Sequence, residues 1–228
     1  MCGRFVLDLE WSEVLASLGV DVERIEGFGV EPSWNVGPMS DAVIVRTREG
    51  VREPAVARWG LVPGWAKDDA IGAKMFNARA ETAREKPAFR AAFARRRCVV
   101  PMSGFYEWKA GADGKQPWYI TRADGDPLVC AGLWEYWEGP GVGALETFSV
   151  LTTSPNAFMA ELHDRMPCVL EREGVGGWLE GDADVAQGLL VPAAEGVLHG
   201  HAVSKRVGNV RHNGPELVEP VETQGGLF

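Results

Sequence analysis

Four short stretches of this 228-residue chain bring reactive side chains together. The first is Cys2-Gly3-Arg4. A small second residue permits removal of the initiator methionine, which would leave Cys2 with an α-amine and a thiol on adjacent carbons. Amines add to aldehydes to give imines, and a neighbouring thiol can close an imine into a five-membered thiazolidine. The α-amine titrates near ~8, well below a lysine near ~10, so a neutral fraction is present at cellular pH. A small residue tucked under a strand is the competing account of Cys2, and taken alone it is the stronger one.

The second stretch runs from Met75 to Thr82. In an extended segment Asn77, Arg79 and Glu81 alternate onto one face, aiming an amide, a guanidinium and a carboxylate the same way. Asn77 offers both a donor and an acceptor, which suits holding a chain terminus or a sugar hydroxyl. Backbone or ion-pair contacts at a strand end explain the pattern equally well. The third stretch is Gly104-Phe105-Tyr106-Glu107-Trp108, where a carboxylate sits among aromatic residues. Desolvation there raises a carboxyl pKa and suits it to general acid–base work, with a buried Glu–Arg pair as the structural alternative. The fourth is His163-Asp164-Arg165-Met166-Pro167, holding one of only four histidines. A single histidine is more often a structural hydrogen bonder, but this one lies in an arginine- and aromatic-rich stretch. Arg165, two residues on, shares its face if the chain is extended and could meet a phosphate.

These stretches need a scaffold of strands. Runs rich in Val, Ile, Tyr, Phe and Trp predict strands at 42–47, 55–60, 97–102, 104–109, 117–122, 128–136, 146–153 and 165–170, with a last one at 198–204. Asp113-Gly114 signals a turn between two of them. Helices are predicted at 9–18, from Pro87 to about Arg95, at 183–190, and from 156 to 162 with Ser154 as N-cap and Pro155 at the first helical position. The expected architecture is α+β: one domain over 1–228, with short, mostly antiparallel strands in a partly closed barrel or paired sheets, a few flanking helices, and an irregular tail after about 211.

Composition narrows the function. A hydrophobic fraction of 46% and a charged fraction of 24% are ordinary globular values. No apolar run is long enough to span a bilayer, and Asp8 and Glu10 interrupt any secretory pattern, so a cytoplasmic protein without membrane contact is expected. The cysteines at 2, 98, 130 and 168 lack zinc-site spacing. Neither a metal nor a cofactor is expected, and Cys98, Cys130 and Cys168 read as reduced core residues. The net charge of −9 argues against nucleic-acid binding over the whole surface. From Lys74 to Arg97, however, eight basic residues stand against two glutamates, which leaves room for a local basic groove.

In this order the stretches closely resemble the SRAP family (SOS response-associated peptidase), proteins that shield abasic sites in single-stranded DNA. The resemblance also takes in Asn35 to Pro38, Trp59-Gly60-Leu61-Val62-Pro63 with Trp65, Arg97-Cys98, Ala131-Gly132-Leu133-Trp134 and Thr152-Thr153, and spans about residues 2–210. It implies that mature Cys2 forms a thiazolidine cross-link with the ring-opened aldehyde of an abasic site. Asn77 would position Cys2 and the sugar, while Glu107 and His163 would handle the protons. Arg4, Arg79 and Arg165 would hold phosphates, and loops at Asn35, Pro38 and Trp65 would line the DNA groove. It further implies lyase-type Schiff-base chemistry, exposure of Cys2 by autoproteolysis or by trimming of Met1, and nucleoid association on DNA. A monomer is the default expectation. Two other classes remain in view: an N-terminal-nucleophile peptidase or amidohydrolase, and a non-catalytic DNA-binding module.

Overall fold

The computed structural model describes residues 2–26, 28–111, 114–139 and 143–222. In chain order the strands are β1 (Phe5–Leu7), β2 (Ser33–Val36), β3 (Asp41–Arg48), β4 (Val51–Trp59), β5 (Asn77–Arg79), β6 (Arg97–Met102), β7 (Gly104–Gly111), β8 (Gly114–Arg122), β9 (Leu128–Gly139), β10 (Gly143–Thr153), β11 (Met166–Pro167) and β12 (Leu198–Ala202). The α-helices are short: α1 (Trp11–Ser17), α2 (Val22–Ile25), α3 (Ala80–Ala83), α4 (Arg90–Arg95), α5 (Ala157–Ala160), α6 (Gly174–Glu180) and α7 (Ala183–Gly188).

Strands β10, β4, β3, β6 and β9 pair in that order, and β9 pairs back onto β10 from Gly139↔Gly143 to Gly132↔Val150. Pairing thus runs full circle and leaves a closed five-stranded barrel, within the expected choice of a partly closed barrel or paired sheets. Closure removes exposed edges. A separate antiparallel sheet, ordered β12-β8-β7-β1-β2, lies against it. Aromatic residues join the two bodies. The Phe5 ring of β1 meets Trp59 of β4 edge-on with centroids 4.8 Å apart, and Trp59 in turn contacts Phe76 at 5.7 Å and Phe148 at 6.4 Å. The Trp59 indole N–H donates to Phe76 O at 2.7 Å, so this buried ring has a partner for its one polar atom.

Two glycines let the chain leave β4 against the barrel. Gly60 has φ +139°, and a Cβ there would lie 2.6 Å from Gly72 O, while a Cβ on Gly72 would lie 2.6 Å from Gly60 O. That backbone-on-backbone approach admits no side chain, and it holds the 61–76 segment where it feeds into β5.

The end of β10 organises the molecule. Early in its course β10 pairs with β4 and β9; further on, β5 runs parallel to it (Val150↔Asn77, Thr152↔Arg79) and β11 runs antiparallel (Thr152↔Pro167, Thr153↔Met166). Asn77, Arg79 and the 163–167 stretch therefore converge on one strand end.

Several expectations are corrected in detail. Alternation from Asn77 stops at Arg79, because α3 begins at Ala80 and puts Glu81 in a helical first turn. The helix expected from 156 to 162 is α5 alone, and its cap is Asn156, whose side chain accepts from Met159 N–H, rather than Ser154. The strand expected at 165–170 is only β11 plus a bridge at Val169. Asp113 lies outside the described residues, although β7 and β8 do pair antiparallel, with Gly111 opposite Gly114. Helix α6 has three glycines in its seven residues and gave no sequence signal. Its Trp178 packs edge-on against Phe93, and the Trp178 N–H donates to Cys98 O. All four cysteines are free and buried, and no described helix is long and apolar enough to cross a membrane.

Candidate functional site

The chain enters the site along β1. Phe5 pairs with Phe105 and Val6 with Gly104 in antiparallel register, and Tyr106 N–H donates to Arg4 O at 2.9 Å. Continuing that register places the head of the chain alongside Glu107. From the barrel side, Asn77 Nδ2 donates to Cys2 O at 2.7 Å. The other amide atom, Asn77 Oδ1, is buried without a hydrogen-bond partner among the described residues. An acceptor left in that state costs stability unless something else requires it there.

Next to this anchor a cleft of ≈ 670 Å³ opens, with Glu107, His163 and Arg79 in its lining. Glu107 is 2% exposed, and burial holds its carboxyl above the ordinary value near 4.5, against a smaller opposing pull from His163. The Cys2 thiol is fully buried, and burial, reinforced by the Glu107 charge, pushes it well above an ordinary thiol. A thiol in this state is protonated at neutral pH, which disfavours attack by a thiolate. His163 follows α5, its N–H bonded to Met159 O at 2.8 Å, and its ring is half-buried.

Four of the expected residues, Cys2, Asn77, Glu107 and His163, thus gather at one seam between barrel and sheet. Arg79 is exposed on the cleft wall, and Trp65 is exposed at 59% on the loop after β4. Pro38 is half-buried in the turn between β2 and β3.

Three other residues are occupied differently. Asn35 is buried: its Oδ1 accepts from Arg4 Nη1 at 2.9 Å, and its Nδ2 donates to the carbonyls of Val207, Asn209 and His212. Arg4 Nη1 also donates to Val207 O at 2.9 Å. Together the pair fastens the C-terminal segment across the N-terminal strand. Arg165 is clamped by both Glu81 oxygens at 2.6 and 2.8 Å and by Thr152 O at 2.5 Å. Its guanidinium lines the cleft but is committed to an internal ion pair, which draws the Glu81 carboxyl below its ordinary value. Three members of the basic run from Lys74 to Arg97 are engaged internally as well. Arg84 pairs with Asp184, Arg96 with Glu135, and Arg97 donates to the carbonyls of Phe93, Trp178 and Gly181.

Trp108, Lys115, Asp164 and Phe76 also line the cleft, and reading the residues one by one did not single them out. Trp108, Asp164 and Phe76 lay inside the four stretches; Lys115 gave no local signal at all. Among the described residues no cluster of three or more His, Cys, Asp or Glu could hold a metal ion.

A family model described as SOS response associated peptidase (SRAP) matches residues 1–210. The chain belongs to the SRAP family. Similar relatives carry one kind of name. The abasic site processing protein YoqW of Bacillus subtilis is 39% identical over 223 residues, which cover 96% of this chain and 99% of that one. The abasic site processing protein YedK of Escherichia coli is 32% identical, covering 97% of this SRAP chain and all of its relative. The abasic site processing protein HMCES of Gallus gallus is 31% identical, covering 84% of this chain and 67% of that one. Among solved structures, a protein from Bacteroides thetaiotaomicron superposes with a TM-score of 0.84 at 26% identity, covering 97% of the SRAP chain and all of the other.

Proposed function

We propose that this SRAP protein processes abasic sites in single-stranded DNA by covalent capture at Cys2. With Met1 removed, the α-amine of Cys2 adds to the aldehyde of a ring-opened abasic sugar. The carbinolamine takes up a proton and loses water to give an iminium ion. The thiol sulfur then adds to the iminium carbon and its proton departs, closing a thiazolidine. Glu107, whose burial favours its protonated form, supplies the proton for dehydration, and His163 is the second proton carrier. Asn77 fixes Cys2, Arg79 meets a flanking phosphate, and Trp65 offers a stacking face for a base. A single strand needs no duplex opening at the lesion. In this reading the protein works on DNA, in the cytoplasm and at the nucleoid.

The observation that carries this reading is the 2.7 Å bond from Asn77 to Cys2 O, which ties the head of the chain beside a buried acid at the cleft. The names of the relatives at 31–39% identity point the same way. The raised thiol pKa weighs against a thiolate peptidase acting on other substrates, and favours attack by the amine first.

The test is intact-mass measurement after incubation with an abasic single-stranded oligonucleotide. The expected product is protein plus oligonucleotide less one water, stable to heat, and absent in Cys2→Ala. Equal heat-stable adduct from Cys2→Ala overturns the thiazolidine. Hydrolysis products without any adduct support the peptidase alternative.

A further inference from the structure

The loop after α5 gives one imidazole nitrogen two competing partners. His163 Nδ1 lies 2.8 Å from Asp164 Oδ1, and the same atom accepts the Arg165 backbone N–H at 3.0 Å. The two contacts suit different protonation states. A neutral ring with its proton on Nε2 keeps a lone pair on Nδ1 and accepts from Arg165. A ring protonated at Nδ1 has no lone pair there and donates to the carboxylate.

The surroundings hold the backbone and leave the carboxylate adjustable. His163 N–H is bonded to Met159 O, and the Arg165 side chain is clamped by Glu81 and Thr152, so residues 163 to 165 are pinned at both ends. The Asp164 side chain is 82% exposed and the His163 ring 29%, whereas Glu107 is 2% exposed. The three acids and bases thus form a series from bulk water to the buried floor of the cleft. The charged groups sharing that cleft with the ring are Glu107 from β7, Arg79 from β5, Lys115 from β8, and Asp164 and Arg165 from its own loop. Of these, only Asp164 is both anionic and on the solvent side.

We propose that Asp164 is a positioning residue that makes His163 a proton relay between solvent and the floor of the cleft. The proposal rests on the covalent-capture reading above. Capture requires one proton to enter, when the carbinolamine hydroxyl leaves as water, and one to leave, when the thiol adds to the iminium carbon. On entry, a proton from bulk water lands on Nδ1, where the Asp164 carboxylate holds it, and the Nε2 proton passes to the floor of the cleft and restores Glu107. On exit the transfers reverse, and Nδ1 returns to the Arg165 N–H. A buried acid without such a path would act once and then wait for solvent to reach it.

Two measurements test this, one of them without DNA. In the free protein with 15N-labelled histidine, the Nδ1 and Nε2 shifts report which nitrogen carries the proton. Asp164→Asn and Asp164→Ala are expected to lower the Nδ1-protonated population relative to the parent at the same pH, with Asp164→Glu restoring part of it. In single-turnover capture of an abasic oligonucleotide, Asp164→Asn is expected to be about tenfold slower, with the slowed step recovering when imidazole is added to the buffer. Urea midpoints equal to the parent's show that the fold is intact. Unchanged histidine shifts in Asp164→Asn, or capture at the parent's rate, overturn the relay. If the parent itself forms no adduct, the covalent-capture reading falls, and the histidine shifts alone decide whether Asp164 governs the ring.

Discussion

Asn77→Ala separates a residue kept for chemistry from one kept for stability. The variant loses the 2.7 Å bond to Cys2 O, which contributes about 1 kcal/mol net. It also removes Oδ1, a buried acceptor without a partner among the described residues, whose desolvation costs roughly 1–3 kcal/mol. The two effects oppose each other, so folding stability should range from unchanged to a gain of about 2 kcal/mol. The effect on reaction is of another size. With its carbonyl released, the head of the chain can shift by a bond length or so, and misplacement of that order costs about 10²-fold in rate. Urea denaturation gives the stability, and single-turnover adduct formation on an abasic oligonucleotide, followed on a denaturing gel, gives the rate. A variant that loses more than about 2 kcal/mol, or one that reacts at the parent's rate, refutes the reasoning. The first outcome makes Asn77 a structural tie, and the second makes Cys2 self-positioning.

Glu107→Gln should alter stability in a pH-dependent way. Burial raises the folded-state pKa above the ordinary value near 4.5, so the folded protein holds this proton more tightly than the unfolded chain. The parent therefore loses stability as pH rises through the raised value, and the glutamine variant does not; urea midpoints at pH 5 and pH 8 should diverge in favour of the variant, while adduct formation slows. Asn35→Ala removes three donated bonds and one accepted from Arg4, and should cost about 3 kcal/mol, read as a lower urea midpoint and earlier proteolysis after Val207. An effect below about 1 kcal/mol with weakened DNA binding would instead make Asn35 a DNA contact. Arg165→Ala should destabilise by about 2 kcal/mol, allowing for the exposed Glu81 partner, and leave the salt dependence of DNA binding as it was. Arg79→Ala should do the reverse, weakening binding across sequences and reducing the salt slope by about one phosphate.

The local chemistry of the chain was legible from residues alone. A glutamate among aromatics has to be desolvated when its strand enters a core, and Glu107 is. Strand β6 begins and ends at the residues its apolar run indicates, because a fully buried strand carries little else. Pairing across distance could not be read in this way. Glu81 looks like a member of an alternating face until α3 turns it toward Arg165, 84 positions along the chain. Asn35 looks like a groove residue until segment 207–212 arrives to take its amide. Lys115 reaches the cleft only through the β7–β8 register.

The sequence by itself determined which side chains are reactive and the order in which they occur, since those depend on residue type and local pattern. The tertiary structure decided which of the arginines remain available to a ligand and where the head of the chain sits. Both follow from β10 exchanging its neighbours for β5 and β11, and from β1 pairing with β7. The physical reason is that burial and hydrogen-bond satisfaction are set by partners far away in the chain, and no window of sequence contains them.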